Sequence, residues 1–379
     1  MENLYLIFDK MPQLKDGGLA TAYINFVKAL NDNFNIKIVC IFGTTETDIE
    51  DFKSLESTSL CTFDIDNRFY ALFSHVKSLH FIKALKALVS GIIYFCFIPL
   101  GKIVTRRLLC GSIVIATCPA AAMFLSHKIR YILEIHTSFD YFWGRNPIGR
   151  MQVALVPEPV LTVFKNAHDA KKGSEHFRSD YVYNWFDTSH LMGGLPKPSY
   201  IPHSAIMMGR LENEKNIPFA IAAAKEILRR YEDFQLDIYG DGSQRDDIQE
   251  MIDHEHLSDH VHLRGFTHDK TIYQSYCVLW VTSLFEGFSL NIAEAMANGV
   301  PSISTNWGEA VNEVIINETT GYIASDAKEF VEKSMAVFSQ AQLRCELSQK
   351  GLEYFESHFT TQSGKTRWLH IIDEVYSTS

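Results

Sequence analysis

The sequence predicts an α/β protein built as two successive units, each a parallel sheet covered by helices. Three observations lead there. Short apolar runs of strand length alternate with helical stretches, the mark of parallel strands buried on both faces. The alternation is interrupted at residues 192–204 (MGGLPKPSYIPHS), where three prolines and two glycines lack any period, and then resumes. The length of 379 residues suits two or three domains, at roughly 150 residues each.

In the first unit, residues 4–8 (LYLIF) read as a strand, followed by a polar loop at 9–18 and a helix from Leu19 to about Leu30. Further strands are expected at 35–42 (NIKIVCIF), 112–117 (SIVIAT), 131–135 (YILEI) and 161–164 (LTVF). The second unit opens with a strand at 205–208, an amphipathic helix at 218–231 and a strand at 235–239. Strands at 261–263, 278–282 and 302–305 continue it. The chain thus divides into 1–191, a linker at 192–204, 205–361, and a closing helix within 362–379.

Composition narrows the function. With 46% hydrophobic and 21% charged residues the chain is no disordered protein. A formal charge of −10, from 35 Lys+Arg and 45 Asp+Glu, argues against nucleic acid as a partner. Seven scattered cysteines without a C-x-x-C suggest neither a disulfide framework nor structural zinc, and fit a reducing, cytoplasmic setting. The opening MENLYLIFDKMP has acids where an export signal carries basic residues.

One segment, 75–107, concentrates Lys77, Lys83, Lys86, Lys102, Arg106 and Arg107 around the uncharged run 87–101 (ALVSGIIYFCFIPLG). That run is short of the roughly 18–20 residues that span a bilayer. Two readings stand: a helix buried in the first unit, or an interfacial helix drawn to an anionic membrane surface.

The most informative stretch is 284–305, LFEGFSLNIAEAMANGVPSIST. A strand ends near Ser283, Glu286 and Gly287 turn the chain, and Ser289 stands at the N-cap of a helix over 290–297. Asn298–Gly299 and Pro301 stop that helix. Its free N–H groups, at the carboxyl edge of the sheet, suit a phosphate. Glu286 precedes the helix and Glu294 lies a little over one turn inside it.

Glu286 and Glu294, with seven residues between them, resemble the E-x7-E signature of retaining glycosyltransferases of the GT-B fold, family 4, the group 1 glycosyltransferases. The resemblance implies two Rossmann-like domains whose parallel sheets face each other across a cleft. It makes Glu294 the ribose ligand and Glu286 a carboxylate beside the donor sugar, with Leu290 and Asn291 offering backbone N–H groups to the diphosphate. Where this chain has Ser289 the family often has Gly. Residues 208–216 (MGRLENEKN) are similar to the family's GRL-x-x-x-KN element, so Gly209 lies at the donor and Arg210 and Lys215 hold the diphosphate. Fixed cations there stabilise a leaving nucleoside diphosphate without a metal. Taken alone, Arg210 and Lys215 would be surface cations paired with Glu212 or Glu214.

The loops at 239–242 (YGDG) and 264–266 (RGF) follow strands, and the second, by resemblance, places Phe266 and Thr267 beside the base. In the first unit, 16–19 (DGGL) resembles the family's glycine loop, with Gly17 and Gly18 facing the donor. His136, in LEIHTS, stands at the carboxyl end of a strand, where open α/β sheets bind ligands and where the family sets a histidine against the donor sugar.

Competing patterns fail. The string 240–245 (GDGSQR) lacks the third glycine of a dinucleotide fingerprint. Asp64-Ile65-Asp66 matches a metal-binding Asp-x-Asp in letters, without the rest of a GT-A pattern, and is given no role. The resemblance implies transfer of a hexose-type sugar from a nucleotide-sugar donor, foremost a UDP-sugar. The acceptor is a glycan or a lipid-linked acceptor, the setting bacterial cell-surface polysaccharide or wall-polymer assembly on the inner face of the membrane. No cofactor is expected. The alternative is a GT-B subunit that binds or scaffolds without catalysis.

Overall fold

The computed structural model describes residues 1–12, 18–41, 59–62, 97–145, 147–188 and 200–377. Two sheets, every strand pair in them parallel, carry the fold. The first contains β1 (Glu2–Phe8), β2 (Phe34–Cys40), β3 (Ser59–Thr62), β4 (Ile113–Ala116), β5 (Ile132–Glu134), β6 (Leu161–Phe164) and β7 (Ser179–Tyr181), in the order β3-β2-β1-β4-β5-β6-β7. The second contains β8 (Ser204–Met208), β9 (Gln235–Tyr239), β10 (Val261–Gly265), β11 (Val278–Val281), β12 (Ser302–Thr305) and β13 (Gly321–Ala324), in the order β10-β9-β8-β11-β12-β13.

The central strands β4, β6 and β11 are buried at every position, which is why they read as unbroken apolar runs. Helix α1 (Gly18–Leu30) packs Tyr23, Phe26, Val27 and Leu30 onto the first sheet. In the second unit α2 (Ile217–Leu228) buries one face, and α3 (Leu290–Ala297) is covered nearly all round. The expected helix at 218–231 is thus shorter than read: it ends at Leu228, with Arg230 and Tyr231 donating backbone N–H groups to Ile227 O. The last helix, α4 (Thr361–Tyr376), places Trp368, Ile371, Ile372 and Val375 in the core beneath β1, β2 and α1, so the end of the chain returns to the first sheet.

Of the linker read at 192–204, residues 192–199 lie outside the described residues, and Ser204 already belongs to β8. Asp64 and Asp66 also lie outside them, as do residues 75–96 of the basic segment. A helix runs over 97–109; its Leu100, Ile103 and Leu108 are each more than half exposed, beside exposed Arg106 and Arg107. Among the described residues no helix is long and apolar enough to cross a membrane, and no cluster of His, Cys, Asp and Glu is placed to hold a metal.

Candidate active site

The carboxyl ends of β8, β9 and β11 converge on one loop cluster. After β8 the chain passes Gly209 into a short 3-10 turn at Asn213–Lys215. The neighbouring loop after β9 lies so close that a Cβ on Gly240, at φ +142, would stand 1.8 Å from Gly209 O, a position only glycine fills. Thr282 Oγ1 donates to Lys215 O (2.7 Å) and Leu284 N to Glu214 O (2.8 Å), tying the lysine turn to the loop after β11. Lys215 Nζ then reaches Glu286 Oε1 at 2.5 Å, and Ser283 Oγ donates to the same oxygen at 2.7 Å. Arg210 is half exposed and pairs with Glu214 at 2.6 Å, the partner the bare sequence offered.

Helix α3 begins beside this pair. Asn291 Nδ2 donates to Met208 O at 2.6 Å, pinning the helix start against the end of β8. Ser289 occupies the N-cap, but its side chain makes no capping bond, a correction to the expected cap. Among the described residues its buried hydroxyl has no hydrogen-bond partner. A buried donor left without a partner costs about 1–3 kcal/mol, and here it sits at a helix start whose N–H groups favour an anion. At the other end Asn298 Nδ2 donates to Glu294 O (2.8 Å), and Gly299 turns into the left-handed region at φ +66.

Glu294, 1% exposed, accepts from Lys270 Nζ (2.9 Å to Oε1) and from Tyr273 OH (2.6 Å to Oε2). Burial, and then the Glu294 charge, holds the Tyr273 hydroxyl protonated well above its ordinary range. Neither Lys270 nor Tyr273 was read from sequence, since a lysine and a tyrosine in a turn carry no spacing signal. Phe266, exposed, packs edge-on against His268, and Thr267 Oγ1 accepts from Asp269 N (3.1 Å), all within the loop that leads to Lys270. Behind that loop buried Asp237 binds Tyr276 OH (2.5 Å), His262 Nδ1 (2.9 Å) and Arg264 Nε (3.0 Å), fixing the end of β10.

The first sheet faces this cluster closely. A Cβ on Gly287 would lie 2.3 Å from His136 O, and a Cβ on Gly18 would lie 3.6 Å from Leu290 Cδ2. Gly17 lies outside the described residues. Asn166 Nδ2 donates to Gly287 O (2.6 Å), and Glu313 accepts from the backbone N–H groups of Ala167 and His168 (2.7 Å each) and from Tyr183 OH (2.9 Å). Tyr141 stacks on Phe285 with ring centroids 4.4 Å apart. The structure therefore brings His136, Gly18, Gly209, Lys215, Glu286, Leu290 and Asn291 around the facing carboxyl edges, with Glu294 further along α3.

His136 itself stands on a buried charge network. Lys165, 3% exposed, is bonded to Glu134 Oε1, while Glu134 Oε2 accepts from Tyr23 OH (2.5 Å). His136 Nε2 lies 2.9 Å from Tyr23 OH and 3.4 Å from Glu134 Oε2. Burial works against the Glu134 charge, yet Lys165 and then His136 outweigh it and hold the carboxyl well below its usual range. Burial, then the Lys165 charge, lowers His136, with Glu134 pulling the other way.

Two facing parallel sheets with this loop cluster between their carboxyl edges define a GT-B fold. Residues 202–354 match the family model described as Glycosyl transferases group 1. The matched stretch carries the second sheet and its loops, which are thus similar to group 1 glycosyl transferases. The chain is 31% identical over 193 residues to the GtfA subunit of a UDP-N-acetylglucosamine–peptide N-acetylglucosaminyltransferase from Streptococcus gordonii. That stretch is 48% of this chain and 38% of the relative's own length. Among solved structures, a variant of S. aureus TarM in complex with fondaparinux, alpha-GlcNAc-glycerol and UDP superposes with a TM-score of 0.77 at 15% identity, covering 98% of this chain and 100% of that one. Anabaena Alr3699/HepE in complex with UDP and glucose gives 0.75 at 15% identity, covering 99% and 100%. At such identity these two likenesses speak to fold.

Proposed function

We propose that this protein is a retaining glycosyltransferase that moves a hexose-type sugar from a nucleotide-sugar donor, foremost a UDP-sugar, to a glycan or lipid-linked acceptor. One observation carries the reading: the Lys215–Glu286 pair and the start of α3, with a buried Ser289 hydroxyl that has no partner among the described residues, lie together opposite His136. The second unit takes the donor and the first presents the acceptor. Lys215, Arg210 and the α3 N–H groups balance the charge that grows on the leaving diphosphate. Glu294 takes the ribose hydroxyls, Phe266 and Thr267 flank the base, and Glu286 and His136 flank the sugar. The bond between the anomeric carbon and the phosphate oxygen breaks as the acceptor oxygen bonds the same face. The acceptor's proton passes to a donor phosphate oxygen, and no metal is assigned a part.

The UDP and sugar ligands of the TarM and HepE structures support the choice of donor. The polyol-linked sugar held by TarM supports an acceptor from bacterial wall or surface polymers. We place the protein at the inner face of the membrane, with the basic, apolar helix over 97–109 against anionic lipid. A thermal-shift screen with UDP-, GDP- and ADP-sugars, followed by assay of sugar transfer, tests the proposal. Stabilisation by a UDP-sugar with turnover is expected. Stabilisation without turnover would turn the reading to a binding or scaffold subunit, and no shift with any of the three would end it.

A further inference from the structure

The charge network beneath His136 is more elaborate than a strand end needs. Lys165 and Glu134 are buried together, and a buried ion pair gains little stability over apolar residues of the same size. The geometry gives the network a direction. Glu134, kept ionised, can only accept hydrogen bonds. Tyr23 must therefore donate its single proton to Glu134 Oε2. The Tyr23 oxygen is then left to accept, and the atom facing it at 2.9 Å is His136 Nε2. The proton of a neutral His136 thus sits on Nε2. Nδ1 is bare, and among the described residues it has no hydrogen-bond partner.

We propose that Tyr23, oriented by the Glu134–Lys165 pair, is a positioning residue that fixes His136 as the Nε2–H tautomer, leaving Nδ1 as a hydrogen-bond acceptor at the cleft. The inference rests on the proposed function for its consequence: Nδ1 would accept from a hydroxyl of the donor sugar, so that a sugar without a hydroxyl there loses the contact. The assignment itself depends on groups of this chain alone. Charged and titratable groups facing His136 come from β5 (Glu134), the turn just after β6 (Lys165) and α1 (Tyr23), and Cys118, bonded to Asp9, stands behind Tyr23. Burial and Lys165 oppose a second proton on the ring, so it stays neutral to a pH below the ordinary imidazole value of 6.5.

The test is nitrogen-15 NMR of the full-length protein labelled at histidine, with His136 assigned by the resonance lost in His136→Asn. The wild-type ring should show a protonated Nε2, a bare Nδ1 and a titration midpoint below 6.5. Tyr23→Phe keeps the ring in its aromatic packing and removes the oxygen. It leaves the Glu134 charge without a donor beside Nε2, so the midpoint of His136 should rise. With a donor that is turned over, Tyr23→Phe should lower kcat on the order of tenfold, about what one hydrogen bond is worth, and move the acid limb of the profile to higher pH. A wild-type ring protonated on Nδ1, or a His136 midpoint that Tyr23→Phe leaves in place, overturns the inference, since a purely structural tyrosine would change stability and neither of these. Because the NMR arm needs no donor, failure of the proposed activity would leave the tautomer of His136 decided all the same.

Discussion

Glu294 holds a charge at a point almost sealed from water, and a carboxylate so placed needs donors around it. Lys270 and Tyr273 provide them, so the carboxylate is held in one position before any ligand arrives. Lys215 differs: it is partly open and shares Glu286 with Ser283. Lys215→Ala should leave the fold and melting temperature nearly unchanged and lower kcat about 10²–10³-fold, the usual loss when one charge-stabilising donor goes. Turnover near wild type in steady-state assays would contradict its role. Glu294→Gln, which keeps an acceptor for Tyr273, should raise the donor KM with the protein still folded; an unchanged KM would remove Glu294 from the ribose. The paired glutamates and Lys215 were legible in the sequence because each sits in a contiguous motif with fixed spacing. Tyr23, Glu134, Lys165, Lys270 and Tyr273 were not, because their partners come from separate strands and turns and no local pattern announces them.

At the scale of elements, the strands that the sequence made plain are the buried ones. The runs at 161–164, 235–239 and 302–305 coincide with β6, β9 and β12, and the helix at 290–297 with α3. Strands β3, β7 and β13 were not legible. Each is an edge strand of three or four residues, too short for a periodic signal, and β7 (SDY) is half-buried and polar. Ser289 shows a subtler failure: its residue type marked the helix start correctly, yet its hydroxyl does no capping. The loop that carries Glu286 gives the clearest mechanical prediction. Gly287→Ala sets a Cβ against the His136 carbonyl, and a shift of the order of 1 Å costs about 10²-fold in rate. The loss should fall on kcat/KM while thermal-shift binding of the nucleotide alone persists; an unaltered kcat/KM would show that the two loops need not meet so closely. The helix over 97–109 offers a separate test. Replacing Arg106 and Arg107 with Ser removes two exposed cations, worth about 1 kcal/mol each at an anionic surface. Co-sedimentation with phosphatidylserine-containing liposomes should fall roughly tenfold or more. Equal sedimentation, or none by the wild type, would refute membrane docking.

Across the whole molecule the chain closes on itself. The core of the first sheet is completed by α4, from the far end of the sequence, whose Trp368 lies fully buried among Leu4, Phe26 and Ile36 with its ring 5.2 Å from Phe26. A closing helix was expected within 362–379, but no property of that segment by itself says which sheet it covers. That choice is made by shape: Gly364 lets the helix backbone meet Trp185, where a Cβ would come within 2.2 Å of the ring. The arrangement couples the two halves, since α4 leaves the second unit at Phe359, whose carbonyl accepts from Phe186 N (3.0 Å). Trp368 itself packs in the core of the first sheet, so Trp368→Ala should cost about 3–5 kcal/mol, with the loss local to that sheet. Hydrogen exchange would show protection lost in β1, β2 and α1 while β8, β9 and α3 keep theirs. Uniform loss in both sheets would mean that the molecule unfolds as one cooperative unit, and loss confined to α4 would mean that the first sheet is stable without its covering helix.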